Sequence, residues 1–167
     1  MSPAEKGACR YCKVQLVDWD KMRTRSLNDL DQKFRALQSE MIRHHFWHKD
    51  IDEAALLHAR RKGLDRLREA ATTRLQNSVG PAQPPRDGQQ TPMQGNILYY
   101  AQHATASCCR TCMEYWHGIP KGRSLSDDEV EYFVELAIRY VAMRMPLLPA
   151  APEKIPRRRY AKPRGSF

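Results

Sequence analysis

Residues 126–146, SDDEVEYFVELAIRYVAMRMP, contain the clearest secondary-structure signal in the chain. Ser126 and Glu129 have the spacing of a capping box, in which each side chain bonds to the backbone of the other residue. Pro146 cannot continue a helix because it lacks the amide hydrogen. The stretch therefore predicts an amphipathic helix that ends at this proline. Its predicted buried face consists of Val130, Phe133, Ala137, Tyr140 and Val141.

Three further helices are predicted upstream, over about 26–45, 50–63 and 64–77. Capping boxes begin the first two, and apolar residues recur at helical spacing along the set. Gly63 separates the second helix from the third, because glycine readily adopts the left-handed conformation that ends many helices. The residues that carry these signals are Ser26, Asp29, Leu27, Leu30, Phe34, Leu37, Met41 and His45, then Asp50, Glu53, Ala54, Leu57 and His58, then Leu64, Leu67, Ala71, Leu75 and Asn77.

A long irregular loop is predicted over 80–96, GPAQPPRDGQQTPMQGN, whose four prolines and three glycines exclude regular structure. The next residues, 97–100 (ILYY), are the one strand candidate. The expected fold class is therefore mainly α, a small single-domain helical protein with at most one short strand or hairpin. The expected organisation is an N-terminal CxxC segment (1–25), a helical zinc-binding domain (26–148) and a basic, disordered tail (149–167).

The net charge of +9 is concentrated at the C-terminus, where residues 150–167 hold six basic side chains and one acid. A tail with +5 of the total charge is typical of a segment that binds phosphates. The chain has no apolar run of the ~18 residues that a membrane span needs. The N-terminus lacks the apolar stretch of a secretory signal, so we expect a cytoplasmic protein with reduced thiols.

The five cysteines form two groups, Cys9 and Cys12 in CRYC, and Cys108, Cys109 and Cys112 in CCRTC. Paired CxxC spacing in a reducing compartment predicts zinc, because two thiolates from one turn can bind the same tetrahedral ion. Two ligand sets remain open. A long-range set joins Cys9, Cys12, Cys109 and Cys112. A local set takes its ligands from His103, Cys108 or Cys109, Cys112 and His117.

Other residues suggest additional chemistry. His44 and His48 lie one helical turn apart near Asp52, an arrangement that can share a second metal or simply end a helix. A hydrolytic site is the alternative for the polar loop, with Asp87 as a carboxylate base beside His103 and His117. The other interpretation of Asp87 is a turn residue whose side chain bonds the backbone.

Basic and aromatic residues predict contacts to nucleic acid. Arg60, Arg61 and Lys62 also suit the end of a helix, where cations interact favourably with the helix dipole. The predicted nucleic-acid-binding residues are Arg157, Arg158, Arg159, Lys162 and Arg164 in the tail, with Lys121, Arg123 and Trp116 in the folded body. The expected function is a zinc-stabilised accessory protein that associates with RNA or DNA. The alternatives are a metal-dependent hydrolase acting on a nucleotide or nucleic acid, and a protein-interaction module that uses Trp116 and the Ile119-Pro120 turn.

The segments DGQQTPMQGN (87–96) and AQHATASCCRTCMEYWHGIPKGRSL (101–125) resemble the bacterial domain of unknown function 4186 family. The resemblance extends over about 46–148. The chain departs from the family signature at Asn96-Ile97 and at Met113, where leucine is usual. Shorter family members lack the CRYC extension, which implies that the signature can fold or bind metal without Cys9 and Cys12. The resemblance implies no particular activity.

Overall fold

Helix α7 (Asp127–Arg144) confirms the prediction made from residues 126–146. The Ser126 hydroxyl accepts a hydrogen bond from the Glu129 amide at 3.3 Å, and the Glu129 carboxylate accepts one from the Ser126 amide at 3.0 Å. All five apolar residues of the predicted face are buried. This face packs against α4 (Glu53–Arg74) and α5 (Ile97–Ala104), so α7 closes the core.

The fold is known from a computed structural model, which describes residues 5–156. Within this range the chain is mainly helical, with seven α-helices and no strand, as the sequence predicted. Two isolated bridges, Ala8–Gln15 and Cys9–Glu40, are the only β pairings in it. None of the helices in this part of the chain is long and apolar enough to cross a membrane. The remaining helices are α1 (Trp19–Arg23), α2 (Leu30–Ser39), α3 (Arg43–His48) and α6 (Arg110–His117), and a π-helical turn (Leu75–Val79) follows α4.

The single helix predicted over 26–45 is wrong, because the chain breaks between α2 and α3 at Glu40. Glu40 is fully buried and has extended backbone angles. Its carboxylate accepts hydrogen bonds from the amides of Gly7, Ile42 and Arg43. The buried carboxylate therefore joins the N-terminal segment to the start of α3 and ends α2 where the sequence pattern continues.

Helix α4 begins two residues later than predicted, because Asp52 caps it in place of Asp50. The Asp52 carboxylate accepts from the Ala55 amide at 3.0 Å. Gly63 interrupts the helix with φ 69° and ψ 169°, and the second half continues directly from it. The C-terminal segment, residues 149–156, crosses this break. There Leu64 N donates to Pro149 O at 3.0 Å, and Asp65 N donates to Ala150 O at 3.2 Å.

The strand prediction for 97–100 is wrong, because these residues begin α5. The Asn96 side chain accepts from the Leu98 amide at 2.9 Å and caps the helix. A short apolar run has the same composition in a buried strand and in a buried helix, so the cap is what distinguishes them. The preceding loop, 80–96, is irregular as predicted. It is held by Arg74, which donates to Gln90 O and to the Thr91 hydroxyl, both at 3.0 Å.

Candidate metal centre

Three cysteines converge in the link between α5 and α6. The sulfur atoms of Cys108, Cys109 and Cys112 all lie within 4.8 Å of one another, and Cys108 and Cys112 are 3.5 Å apart. Cys109 is the N-cap of α6, with extended backbone angles, and its sulfur accepts from the Cys112 amide at 3.4 Å. Cys112 lies one helical turn after Cys109, which brings it close to the Cys109 sulfur. The three thiols therefore face a common point.

Buried hydroxyl and amide groups fix the backbone of this link. The Thr91 hydroxyl donates to Cys108 O at 2.8 Å, which ties the cysteines to the loop 80–96. The Gln102 side chain donates to Ser107 O at 3.2 Å, and the Thr105 hydroxyl donates to Ala101 O at 2.8 Å. Because Thr105 and Ser107 are fully buried, these bonds are shielded from water. The donor set is thus held in place before any ion binds.

Arg43 supplies the charge opposite the cysteines. Its guanidinium is buried, with Nη2 3.4 Å from the Cys112 sulfur and Nη1 donating to His103 O at 2.6 Å. Hydrogen bonds from the thiols of Cys108 and Cys109, together with the Arg43 cation, hold the pKa of Cys112 far below its usual range. Hydrogen bonding to Cys109 and Cys112, with burial, raises the pKa of Cys108. Cys112 is therefore the thiol of the cluster that the Arg43 cation most favours in its ionised form.

The structure does not assemble the long-range ligand set. Among residues 5–156, the group with at least three potential metal-ligand atoms within 4.8 Å of one another consists of Cys108, Cys109 and Cys112. Cys9 and Cys12 lie outside it. Cys9 instead pairs with Glu40 in an isolated bridge. The CRYC segment and the CCRTC segment therefore do not form one ligand set in this structure.

The two histidines of the local set are engaged with the protein. His103 Nε2 lies 3.2 Å from the carbonyl oxygens of Thr91 and Pro92, and its ring stacks on Phe46. His117 is buried, with Nε2 2.9 Å from Thr105 O and Nδ1 3.2 Å from the Tyr132 hydroxyl. Burial lowers the pKa of His117 to about 3, so its ring is neutral. The structure brings together Cys108, Cys109 and Cys112 without these imidazoles.

The proposed hydrolytic residues do not converge. The Asp87 carboxylate accepts from Lys121 at 2.6 Å and from the Thr111 hydroxyl at 3.2 Å. Although partial burial opposes ionisation, these bonds and one from Gln90 lower the pKa of Asp87 to about 2. Asp87 therefore joins the loop 80–96 to α6 as an ionised, paired group, apart from His103 and His117.

The second candidate metal group is partly assembled. The rings of His44 and His48 stack with centroids 4.0 Å apart. Asp52 does not join them. Its carboxylate caps α4, and its second oxygen accepts from the Gly95 amide at 2.9 Å and from the Tyr100 hydroxyl at 2.7 Å.

The nucleic-acid candidates of the folded body are occupied by internal contacts. Trp116 is only 3% exposed and packs against Trp19. Lys121 is paired with Asp87, and Arg123 binds Glu129 through two hydrogen bonds of 2.7 and 2.8 Å. Of the alternative interaction surface, Ile119 is fully buried and Pro120 exposed. The predicted tail residues Arg157, Arg158, Arg159, Lys162 and Arg164 lie outside the described part of the chain.

Helix α4 presents a cationic surface that contains Arg61 and Lys62, two of the basic residues that the sequence analysis considered for contacts to nucleic acid. An open groove of about 380 Å³ is lined by Ala54, His58, Arg61, Lys62 and Arg66. Among the described residues, no carboxylate oxygen lies within 4.0 Å of the charged nitrogens of Arg61, Lys62 or Arg66, whereas the adjacent Arg60 is paired with Glu153. The signal was the basic run 60–62, for which interaction with the helix dipole was the other interpretation, and Arg66 was not identified. We call Arg61, Lys62 and Arg66 the α4 cationic face.

The part of the chain that contains the cysteine cluster matches a known protein family. A family model described as "Domain of unknown function (DUF4186)" matches residues 31–142. The matched region contains the three clustered cysteines and Arg43, and it excludes Cys9 and Cys12. No solved structure matches the chain.

Proposed function

The chain belongs to the DUF4186 family, a family without an assigned activity, and we propose that it is a zinc-stabilised accessory protein that associates with nucleic acid. In this proposal the cysteine cluster binds the metal. The α4 cationic face and the basic residues of 157–164 bind phosphates. The observation that carries the nucleic-acid part is the set of cations on α4 without acidic partners.

Zinc suits the cluster because of its ligands and its charge. Three cysteines around a common point match the thiolate preference of zinc. A Zn²⁺ ion with three thiolates carries a net charge of −1, and the buried Arg43 guanidinium 3.4 Å from Cys112 offsets it. Burial of the charge opposite a cation is far less costly than burial alone. The proposed role of the ion is to fix the α5–α6 link.

Phosphate binding on α4 is supported by its lack of internal ion pairs. Paired cations such as Lys121 and Arg123 gain little from a phosphate, because binding must first break an existing contact. Arg61, Lys62 and Arg66 have no ion pair to lose within the described part of the chain. A second groove of about 470 Å³ continues along α4 past Lys62 and Arg66 to Ser78.

The basic C-terminal residues follow directly from this surface. Arg61 Nη2 donates to Pro156 O at 3.1 Å, so the last described residue is anchored on the α4 cationic face. The sequence continues with Arg157, Arg158 and Arg159. Because the contacts are to phosphates and Trp116 is buried, the proposed binding is independent of base sequence.

The experiment is a titration of the full chain against single- and double-stranded RNA and DNA over a range of salt concentrations. Each phosphate contact contributes about 0.7–0.9 to the slope of log K against log salt. Replacing Arg61, Lys62 and Arg66 with glutamine should therefore reduce the slope by about 2–3. Deleting residues 157–167 should reduce it further and weaken binding to all sequences alike.

A matched control removes three exposed cations elsewhere, by Lys21→Gln, Arg35→Gln and Arg139→Gln. The control should bind with nearly the slope of the unmodified chain. Failure of the full chain to bind any of the four nucleic acids at ~50 mM salt would refute the proposal, since the electrostatic contribution is large there. Equal slopes for the α4 variant and the control would exclude the α4 cationic face.

A further inference from the structure

Two of the clustered cysteines lie close enough to form a disulfide after a small movement. The sulfur atoms of Cys108 and Cys112 are 3.5 Å apart, and both thiols are free. Because a disulfide bond is about 2.05 Å long, the two sulfurs need to approach each other by only about 1.5 Å. Small rotations of the two side chains can supply this movement.

The cysteines differ in their access to solvent. Cys112 is half-buried, whereas Cys108 and Cys109 are only 7% and 4% exposed. A small oxidant from solvent therefore meets Cys112 first. Cys108 is then the buried neighbour that can react with an oxidised Cys112. An accessible sulfur beside a second thiol is the arrangement typical of redox-sensing cysteines.

Arg43 lies against the same accessible sulfur. Its Nη2 is 3.4 Å from the Cys112 sulfur, and its guanidinium is fixed because Nη1 donates to His103 O at 2.6 Å. A cation close to a sulfur favours the negatively charged form, which is the form that attacks an oxidant. Arg43 is buried, so salt in the solvent screens its charge only weakly. The charge thus acts on the sulfur that an oxidant reaches.

We propose that Cys108 and Cys112 form a reversible disulfide when the protein meets a hydroperoxide. The Cys112 sulfur attacks one peroxide oxygen, so that an S–O bond forms and the O–O bond breaks. The sulfur is oxidised by two electrons to a sulfenic acid, and the departing oxygen takes a proton to leave as water or an alcohol. The Cys108 thiol then attacks the Cys112 sulfur. The S–S bond forms, the S–O bond breaks, and the hydroxyl group leaves with the thiol proton as water.

The reverse reaction needs only a dithiol. Its sulfur attacks the disulfide, both cysteines return to thiols, and the dithiol is itself oxidised to a disulfide. The effect of oxidation on the metal rests on the proposed zinc binding. Sulfurs in a disulfide are no longer thiolate ligands, so oxidation removes two of the three donors and releases the ion. Formation of the disulfide does not depend on zinc, so the two proposals can be tested separately.

The test treats the reduced full chain with equimolar hydrogen peroxide and maps the thiols. The five free thiols should fall to three, and a reducing dithiol should restore five. Trypsin cleaves after Arg110, so the disulfide should join peptide 87–110 to peptide 111–121. Fragmentation of the joined peptides should place the link at Cys108. Zinc released in the same reaction is measured with a coloured chelator, and we expect one ion for each disulfide formed.

Three variants separate this pair from the other cysteines. Cys12→Ser removes an exposed thiol outside the cluster, and its four remaining thiols should fall to two with the same link. Cys109→Ser should also form the link. Cys108→Ser should form none, and its Cys112 should instead react with a diketone probe that is specific for sulfenic acids.

The proposal is refuted if peroxide produces no link to Cys112 in the unmodified chain, or if the link is to Cys109. Zinc that stays bound after the link has formed would refute the release of the ion. A reduced chain that contains no zinc and still forms the link would refute the proposed metal binding alone and would establish the disulfide.

Discussion

Gly63→Ala should destabilise the protein far more than an ordinary glycine substitution. Gly63 has φ 69° and ψ 169°, a region that side-chain-bearing residues almost never occupy. A Cβ there would lie 2.4 Å from Ala150 O and 2.6 Å from two backbone atoms of Ala151. Because these atoms belong to the backbone, no rotation of a side chain can relieve the clash. The C-terminal segment must therefore move away from α4.

The magnitude follows from what this movement breaks. Three backbone hydrogen bonds join the two segments, from Leu64 and Asp65 to the C-terminal segment and from Glu153 to Arg60 O. At about 0.5–1.5 kcal/mol each, their loss costs about 1.5–4.5 kcal/mol. The strained backbone costs about 1–3 kcal/mol in addition. We expect the free energy of unfolding to fall by about 2.5–7.5 kcal/mol.

Urea denaturation followed by tryptophan fluorescence measures this change. Gly122→Ala is the matched control, because Gly122 also has a positive φ of 86°, but a Cβ added to it would meet no other atom within 4 Å. The control should lose only the strain energy. If Gly63→Ala lowers the free energy of unfolding no more than Gly122→Ala does, the close contact between α4 and the C-terminal segment is refuted.

Two further outcomes are expected. Cys112→Ser should lose the cluster zinc and lower the free energy of unfolding, because structural zinc contributes folding energy; unchanged zinc content by elemental analysis would contradict this. Arg123, with the Ser126 amide, lowers the pKa of Glu129 to about 2, so this carboxyl stabilises the fold above its unfolded pKa of about 4.3, and the effect is lost as the pH falls toward 2. Glu129→Gln should flatten that part of the stability–pH curve, measured by urea denaturation between pH 5 and 2, and an unchanged curve would count against the pair.

Local signals were sufficient for some elements of the fold and insufficient for others. The capping box of Ser126 and Glu129 lies within four residues, so the sequence contains everything that begins α7. The break at Glu40 depends on the Gly7 amide, which is 33 positions away, and no pattern near Glu40 indicates it. The strand prediction for residues 97–100 failed because their apolar composition suits both strands and helices, and the cap at Asn96 is the local feature that favours the helix.

Local signals also predicted some features of the candidate site and missed others. Spacing alone indicated that Cys109 and Cys112 share an ion, because the two residues lie on one turn. The counter-charge from Arg43 could not be predicted, since it comes from a helix 69 positions away. His117 looked like a ligand because of its position in the motif, but Thr105 O and the Tyr132 hydroxyl engage its nitrogens. Trp116 looked available for stacking until its burial was known.

The position of α7 in the chain has a consequence for synthesis in the cell. Ribosomes make proteins from the N-terminus, so α7 is the last of the described helices to emerge. Until then α4 and α5 have no partner for the faces that α7 covers. The nascent chain must therefore spend much of its synthesis with apolar surface exposed, at a stage when chaperones bind such surfaces. The core therefore cannot be completed before α7 has left the ribosome.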